Sequence, residues 1–339
     1  MRKLRYFTAL LLLPLCLCAC GAQNAKPTEM TDITLGEVAH SIFYAPQYYA
    51  LAEGYFAAEG LNVELVNLNG ADKVMTALVS GEIEIGLMGP EASIYVANQK
   101  SADYAVNFAQ LTKRDGSFLV GREPIDNFSF SDLRGEVLGG RLGGVPEMTL
   151  EYVLKTNGVD IGVDDPAKEL NVRTDIQFAA MAGSFLAGEA DYTTLFEPTA
   201  TSVEKEGKGY ILASIGQYSG EIPYTAYSCS NKYLAEHPEI IQSFTNAIYK
   251  AQIAMQNTPS EEIAAAIQPY FPDMELEDIT TVINRYQAID AWCDSPYFKQ
   301  EGLEKLMDVM ALAGQLDKRA SFDVIVNNTF AETAIKQVQ

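Results

Sequence analysis

Three glutamates in this chain stand beside a proline where an apolar run gives way to a helical pattern: Glu91 in Gly89-Pro90-Glu91, Glu147 in Val145-Pro146-Glu147 and Glu197 in Phe196-Glu197-Pro198. A carboxylate in such a place has two uses. It can sit in the positive field of a helix N-terminus, which stabilises it without any ligand, or it can accept hydrogen bonds from a nitrogen-bearing molecule. The backbone N–H groups at the same helix ends can do the opposite chemistry and hold an anion, above all around Gly143 and Gly144, where no side chain blocks approach. A sulfonate or nitrate would want those N–H groups and no nearby carboxylate. An amine or aminopyrimidine would want Glu91, Glu147 or Glu197 as acceptors. His40, Ser41, Phe43 and Tyr44 follow the first apolar strand and combine ring faces with hydrogen-bonding tips, a mixture typical of small-molecule pockets. Tyr224 and Tyr227 lie in a β-rich stretch that could present phenols to the same ligand, and Trp292 could roof it. Asp72, just after Gly70, reads as the N-cap of a helix.

These residues need a scaffold that brings strand exits together. Between Ile33 and Tyr95 short apolar strands alternate with amphipathic helices, the pattern of an open α/β sheet, which binds ligands in the crevice outside the carboxyl ends of its strands. The loops His40 to Tyr44, Gly70 to Asp72 and Gly89 to Glu91 are therefore the expected pocket walls. A second βα series starts near Ser131. Within it, Phe185 to Tyr192 matches Leu78 to Ile85 position for position at a constant offset, each copy closing a helix at glycine and opening a strand. Generic α/β punctuation would look the same, but two similar lobes facing each other is the natural geometry. The chain is expected to cross between lobes near Arg114 to Gly121 and again near Pro223 to Cys229. The first lobe (lobe 1) then comprises 32–117 and 226–339, and the second (lobe 2) spans 118–225. After Asn231 the pattern is helical, with segments near Pro238 to Asn257, Ser260 to Tyr270, Leu276 to Asp290 and Leu303 to Ala313, expected to return over lobe 1.

Arg2, Lys3 and Arg5 precede the apolar run Phe7 to Cys18, long enough for a signal-peptide core and too short for a membrane-spanning helix. Leu17-Cys18-Ala19-Cys20-Gly21 resembles a bacterial lipobox, which makes residues 1–19 a lipoprotein signal peptide, Cys20 the acylated first residue and residues 20–31 a flexible tether. The formal charge of −21 becomes −24 without residues 1–19, which carry three basic and no acidic side chains. Such a surface repels nucleic acid and anionic lipid. Beyond Cys20 only Cys229, Cys293, His40 and His237 remain of the cysteines and histidines, without metal-ligand spacing, so no metal site and no cofactor are expected. A Cys229–Cys293 disulfide is permitted outside the cell but not required by any spacing.

With the lipobox, two βα lobes, a double hinge, and GYFAAEGLNVELV followed by MTALVSGEIEIGLMG, the chain resembles the nitrate/sulfonate/taurine-type periplasmic binding proteins, a family that also holds binders of thiamine-pyrimidine precursors. The likeness covers Ile33 to about Ala334. It implies a type II periplasmic binding protein fold, a monomer that closes its lobes on a small solute, and partnership with an ABC permease and its ATPase at the extracytoplasmic face of the membrane. Thr194-Leu195-Phe196-Glu197-Pro198 resembles the strand exit where the pyrimidine-precursor branch grips an aminopyrimidine edge, which singles out Glu197. The Trp-Asn character of that branch is absent. A neutral or cationic nitrogen heterocycle is the expected ligand and an anion the alternative. An enzyme of pyrimidine synthesis or a sensory surface lipoprotein are further alternatives, the first disfavoured because no nucleophile motif is present.

Overall fold

The computed structural model describes residues 30–99 and 103–338. The expected signal peptide and Cys20 lie outside them. Among the described residues eleven strands form two sheets: β1 (Thr31–Glu37), β2 (Leu61–Asn67), β3 (Ile85–Met88), β4 (Ala105–Thr112), β5 (Ser117–Gly121), β6 (Gly135–Leu138), β7 (Ile161–Val163), β8 (Leu170–Arg173), β9 (Tyr192–Phe196), β10 (Tyr210–Ser214) and β11 (Thr225–Ser230). The first sheet has the order β2-β1-β3-β11-β4 and the second β10-β5-β9-β6-β8-β7. Helices flank both, giving the two-lobed α/β architecture of a periplasmic binding protein.

The first sheet is parallel through β2, β1 and β3, with Leu35 opposite Leu65 and Ile85. β11 returns antiparallel between β3 and β4. β3 and β4 are buried along their whole length, which is why β3 reads as an unbroken apolar run, while β4 also buries Asn107, Gln110 and Thr112. The chain leaves the first sheet after Thr112, enters the second at Ser117, and comes back between Ser214 and Thr225. Thr31, placed in the tether by sequence, is the first residue of β1 and donates its N–H to Gly60 O at 2.9 Å.

The offset seen in the sequence is structural. β3 starts at Ile85 and β9 at Tyr192, the last positions of the two matched segments, and the helices before them both end at a left-handed glycine, Gly81 with φ +78° and Gly188 with φ +91°. A side chain at those positions would be strained.

The C-terminal helices do not all return to lobe 1. Pro238–Asn257 packs on Ala45–Ala52, and Leu276–Ala288 on Ser260–Ile267, but Gln300–Leu312 lies against Val145–Thr156 of lobe 2. Lys155 Nζ donates to Leu312 O at 3.1 Å and Lys305 Nζ to Ser219 O at 2.7 Å. The buried stripe of this helix, Leu303, Leu306, Met307 and Met310, is covered mainly from the second lobe, with a smaller contact to Glu91–Asn98 of the first. Cys229 and Cys293 are separate buried thiols.

Candidate functional site

The carboxyl ends of β1, β3, β6 and β9 meet where the two lobes touch. Phe43, in the short 3-10 turn Ile42–Tyr44 after β1, is the centre of the contact. Its ring centroid lies 5.5 Å from Phe196 of lobe 2, 5.7 Å from Tyr224 in the second crossing, 5.2 Å from Tyr286 and 5.6 Å from Tyr44. Each such aromatic pair is worth ~0.5–1.5 kcal/mol beyond the area it buries. A Cβ at Gly116, in the first crossing, would run into the Phe43 ring, so glycine there is what lets the hinge pass this close.

Around the rings stand polar groups of two kinds. The first kind has all its hydrogen bonds. Glu197 is 1 % exposed; its carboxylate accepts from Thr201 N at 2.8 Å, Thr201 Oγ1 at 2.9 Å and Arg285 Nη1 at 2.9 Å. Arg285 also donates to Glu204 at 2.5 Å, and Lys205 pairs with Asp278. Ser41 Oγ donates to Glu197 O at 2.6 Å, while the Tyr286 hydroxyl accepts from Glu197 N and donates to Gly116 O, both at 3.1 Å. These bonds join the two lobes.

The second kind is buried with an oxygen that nothing meets. Glu91 is 3 % exposed and its Oε2 has no partner; Asp115, fully buried between β4 and β5, leaves Oδ2 unpaired although Oδ1 accepts from Ser117 N at 2.6 Å. The Tyr224 hydroxyl is turned to Asp115 and counters the effect of burial on its carboxyl, so of the two acids Glu91 is the one whose free oxygen faces no side-chain donor. A buried polar atom without a partner costs free energy comparable to a lost hydrogen bond or more, so a cluster of them marks a place built for something else. Burial pushes the Glu91 carboxyl up to about 7 against the N–H groups of Glu91, Ala92 and Val145 that face it, and pushes Asp115 up to about 7 likewise. Tyr44, between Glu37 and Glu91, is raised by the same desolvation.

The remaining candidates divide between these kinds. Glu147 is buried, accepts from Gly143 N at 3.0 Å through Oε2 and leaves Oε1 unpaired; burial and the neighbouring Glu151 hold its pKa well above the carboxylate range. Gly144 caps that helix, and the carbonyl of Gly143 accepts from the Tyr95 hydroxyl across the lobes at 2.9 Å. His40 does not face the rings. Its Nδ1 lies 3.0 Å from both Glu37 Oε1 and the Tyr48 hydroxyl, its Nε2 2.7 Å from Tyr270 O, and the Glu37 carboxylate raises its pKa. Asp72 is not an N-cap: Gly70 holds that position, and the Asp72 carboxylate pairs instead with Arg141 of lobe 2. Tyr227 parts company with Tyr224, donating to Gln47 Oε1 at 3.1 Å inside lobe 1. Trp292 packs behind Tyr286 and donates to Phe43 O at 2.9 Å, and a concavity of roughly 220 Å³ on its far side has no buried carboxyl pair. Asp115, Tyr286 and Arg285 were missed by sequence reading. For Asp115 the signal was there, as a charged pair, Arg114-Asp115, placed before glycine between two largely apolar strands.

The family model described as "NMT1/THI5 like" matches residues 42–262. YtlA of Bacillus subtilis (strain 168), named as a putative binding protein, is 40 % identical over 304 residues, 89 % of this chain and 90 % of its own. Among solved structures, the periplasmic nitrate-binding protein NrtA from Synechocystis PCC 6803 superposes with a TM-score of 0.71 at 17 % identity, covering 92 % of this chain and 90 % of NrtA. The ligand-binding component of an ABC-type import system from Staphylococcus aureus gives 0.69 at 16 % identity, covering 90 % and 99 %.

Proposed function

This chain belongs to the NMT1/THI5-like family, and from that premise we propose that it is the solute-binding component of an ABC-type importer. It is held at the extracytoplasmic face of the cell membrane by an acylated Cys20, acts as a monomer, and passes a small organic solute to a permease and its ATPase. Capture by lobe closure is its whole task, without turnover of the solute. The solute is a neutral or cationic nitrogen heterocycle of the aminopyrimidine kind.

The observation that carries the ligand class is the pair of buried carboxyls around Tyr224, Glu91 and Asp115, with Glu91 Oε2 left without a partner and the Phe43 ring 5.7 Å from that of Tyr224. Ring nitrogens and amino groups supply the donor this oxygen lacks, and a flat ring matches the ring faces nearby. Because Phe43 touches residues of both lobes, a ligand reaches this place only when the lobes part about the crossings at Lys113–Gly116 and Ile215–Tyr224. It then adds contacts to both as they close. Thermal-shift and calorimetric titrations with aminopyrimidines, amidines and amines test the reading. A specific ligand at ~100 times its Kd adds about 2.7 kcal/mol of stability, whereas a response to sulfonates or nitrate alone would overturn the ligand class.

A further inference from the structure

Two helices begin close to one another between the lobes. One is Glu91–Asn98, which follows β3, and the other is Val145–Thr156, which follows β6; the Tyr95 hydroxyl of the first donates to Gly143 O, just before the second, at 2.9 Å. Such a convergence of N–H groups attracts negative charge. Here the spot is taken by the protein itself. The Glu91 carboxyl is faced by the N–H groups of Glu91 and Ala92 on its own helix and of Val145 on the other. It folds back over Gly89, where a Cβ would run into it, and its Oε2 is buried without a partner. We propose that the Glu91 carboxyl is a built-in occupant of this seat, barring anionic solutes and presenting an acceptor to nitrogen donors in their place. The inference rests on the reading of the lobe interface as the solute site, and it deepens that reading by assigning the choice between anion and nitrogen donor to one side chain.

A simpler role, stabilising its own helix, does not account for the arrangement. An acidic residue serving only its own helix dipole does so from solvent at the first turn, as Glu239 does at the start of Pro238–Asn257. It needs neither full burial nor the N-terminus of a helix in another lobe. Glu147, the other first-turn acid, does not compete for the seat. Its Oε2 is turned to Gly143 N, and burial together with Glu151 keeps it protonated near neutral pH, so it adds no charge there. Arg141, the basic residue that precedes Val145–Thr156, is engaged with Asp72. Removing the Glu91 carboxyl therefore leaves converging N–H groups with no anion of their own.

The test is a gain of binding. Purified protein is titrated calorimetrically with nitrate and with methanesulfonate at pH 8, as wild type, Glu91→Ala, Glu91→Ser and Glu91→Gln. Glu91→Ala and Glu91→Ser should bind at least one of the two anions ~100-fold more tightly than wild type, and Glu91→Gln, which fills the seat without charge, should not. Serine is small like alanine but keeps a polar group at the first helical position, so it keeps the test open if the alanine variant folds poorly. Wild type binding either anion as tightly as Glu91→Ala would overturn the inference, as would folded Ala and Ser variants that gain nothing. If aminopyrimidines and amines fail on wild type while the anion gain appears, the nitrogen-ligand reading falls and the assignment of the seat stands.

Discussion

Glu91 and Glu197 stand at matching strand exits of the two lobes, yet one carboxylate is saturated and the other is not. β3 and β9 begin at equivalent positions of the two βα series, after helices that end on left-handed glycines, so the two strands start from the same local punctuation. The order of acid and proline then reverses. In Glu197-Pro198 the acid precedes the proline and reaches forward to the N–H and hydroxyl of Thr201 in the helix Thr199–Lys205, and Arg285 finds it there. In Pro90-Glu91 the acid is itself the first helical residue, its N–H sources are already at the helix end, and its Oε2 is folded back over Gly89 without a partner. A buried acid at a strand exit can thus serve as a clasp or as a receptor for ligand, and one transposition in sequence separates the two.

The clasp should respond most strongly to mutation. Glu197→Ala removes the acceptor from Thr201 and from a partly buried Arg285, and breaking a buried pair from one side costs ~3–5 kcal/mol. Arg285 keeps 27 % of its side chain exposed, so the lower end, about 3 kcal/mol, is expected in urea unfolding. A loss under ~1 kcal/mol, the range of an exposed pair, would show that Glu197 is not a clasp. Glu91→Gln in the same assay should stay within ~1 kcal/mol of wild type, because an amide replaces a carboxyl that burial already holds partly protonated.

Ligand affinity should invert that order. A hydrogen bond to a charged group contributes ~1.5–3 kcal/mol, so Glu91→Gln and Asp115→Asn should each weaken binding of a cationic or amino-bearing solute ~10–100-fold without lowering the melting temperature of the ligand-free protein. Glu197→Gln should weaken binding only together with a fall in melting temperature, since it acts through the closed arrangement. Equal loss of affinity without any loss of stability in Glu197→Gln would dissolve the distinction.

Stability against pH separates the two acids further. Glu91 and Asp115 have folded-state pKa values raised to about 7 from ordinary carboxylate values. The folded state therefore binds more protons than the unfolded chain, and the stability these groups contribute is complete below about pH 4 and lost as pH rises through about 7. Ligand-free protein should melt several degrees lower at pH 8 than at pH 5, with Glu147 adding in the same sense at higher pH. The Glu91→Gln/Asp115→Asn double variant should show a flatter profile. A wild-type melting temperature that rises over this interval would mean the two carboxyls are ionised and paired.

Much of the frame was legible from periodicity. The helices Thr199–Lys205 and Pro238–Asn257, the paired βα punctuation and the two-lobe architecture follow from local rules: apolar spacing, glycine at helix ends, and proline at helix starts. The site was legible only as residue types at strand exits. Sequence could place Glu91 and Phe43 at strand exits and Tyr224 in the second crossing, but could not tell which acid was already bonded. Arg285 is 88 residues from Glu197 along the chain, and no local pattern reports such a partner. His40 failed for the same reason, since Tyr270, 230 residues away, takes one of its ring nitrogens. The destination of Gln300–Leu312 was missed because an amphipathic stripe declares that it will be covered, not by which lobe.

A third lobe-to-lobe contact, Asp72 with Arg141, should respond least, and it bounds what a clasp is. Both side chains are more than half exposed, 52 % and 59 %, so water and salt screen the pair, and such pairs contribute ~0–1 kcal/mol. Glu197 and Asp72 each hold an arginine across the interface, and only burial distinguishes them. A double-mutant cycle with Asp72→Ala and Arg141→Ala should therefore give a coupling below ~1 kcal/mol that fades by about 0.5 M salt, while the Glu197–Arg285 cycle stays well above it and is nearly salt-independent. Equal couplings would mean that charge across the lobes, rather than burial beside Thr201 and Tyr286, holds them together. Glu91 and Glu197 would then differ by their charge partners alone.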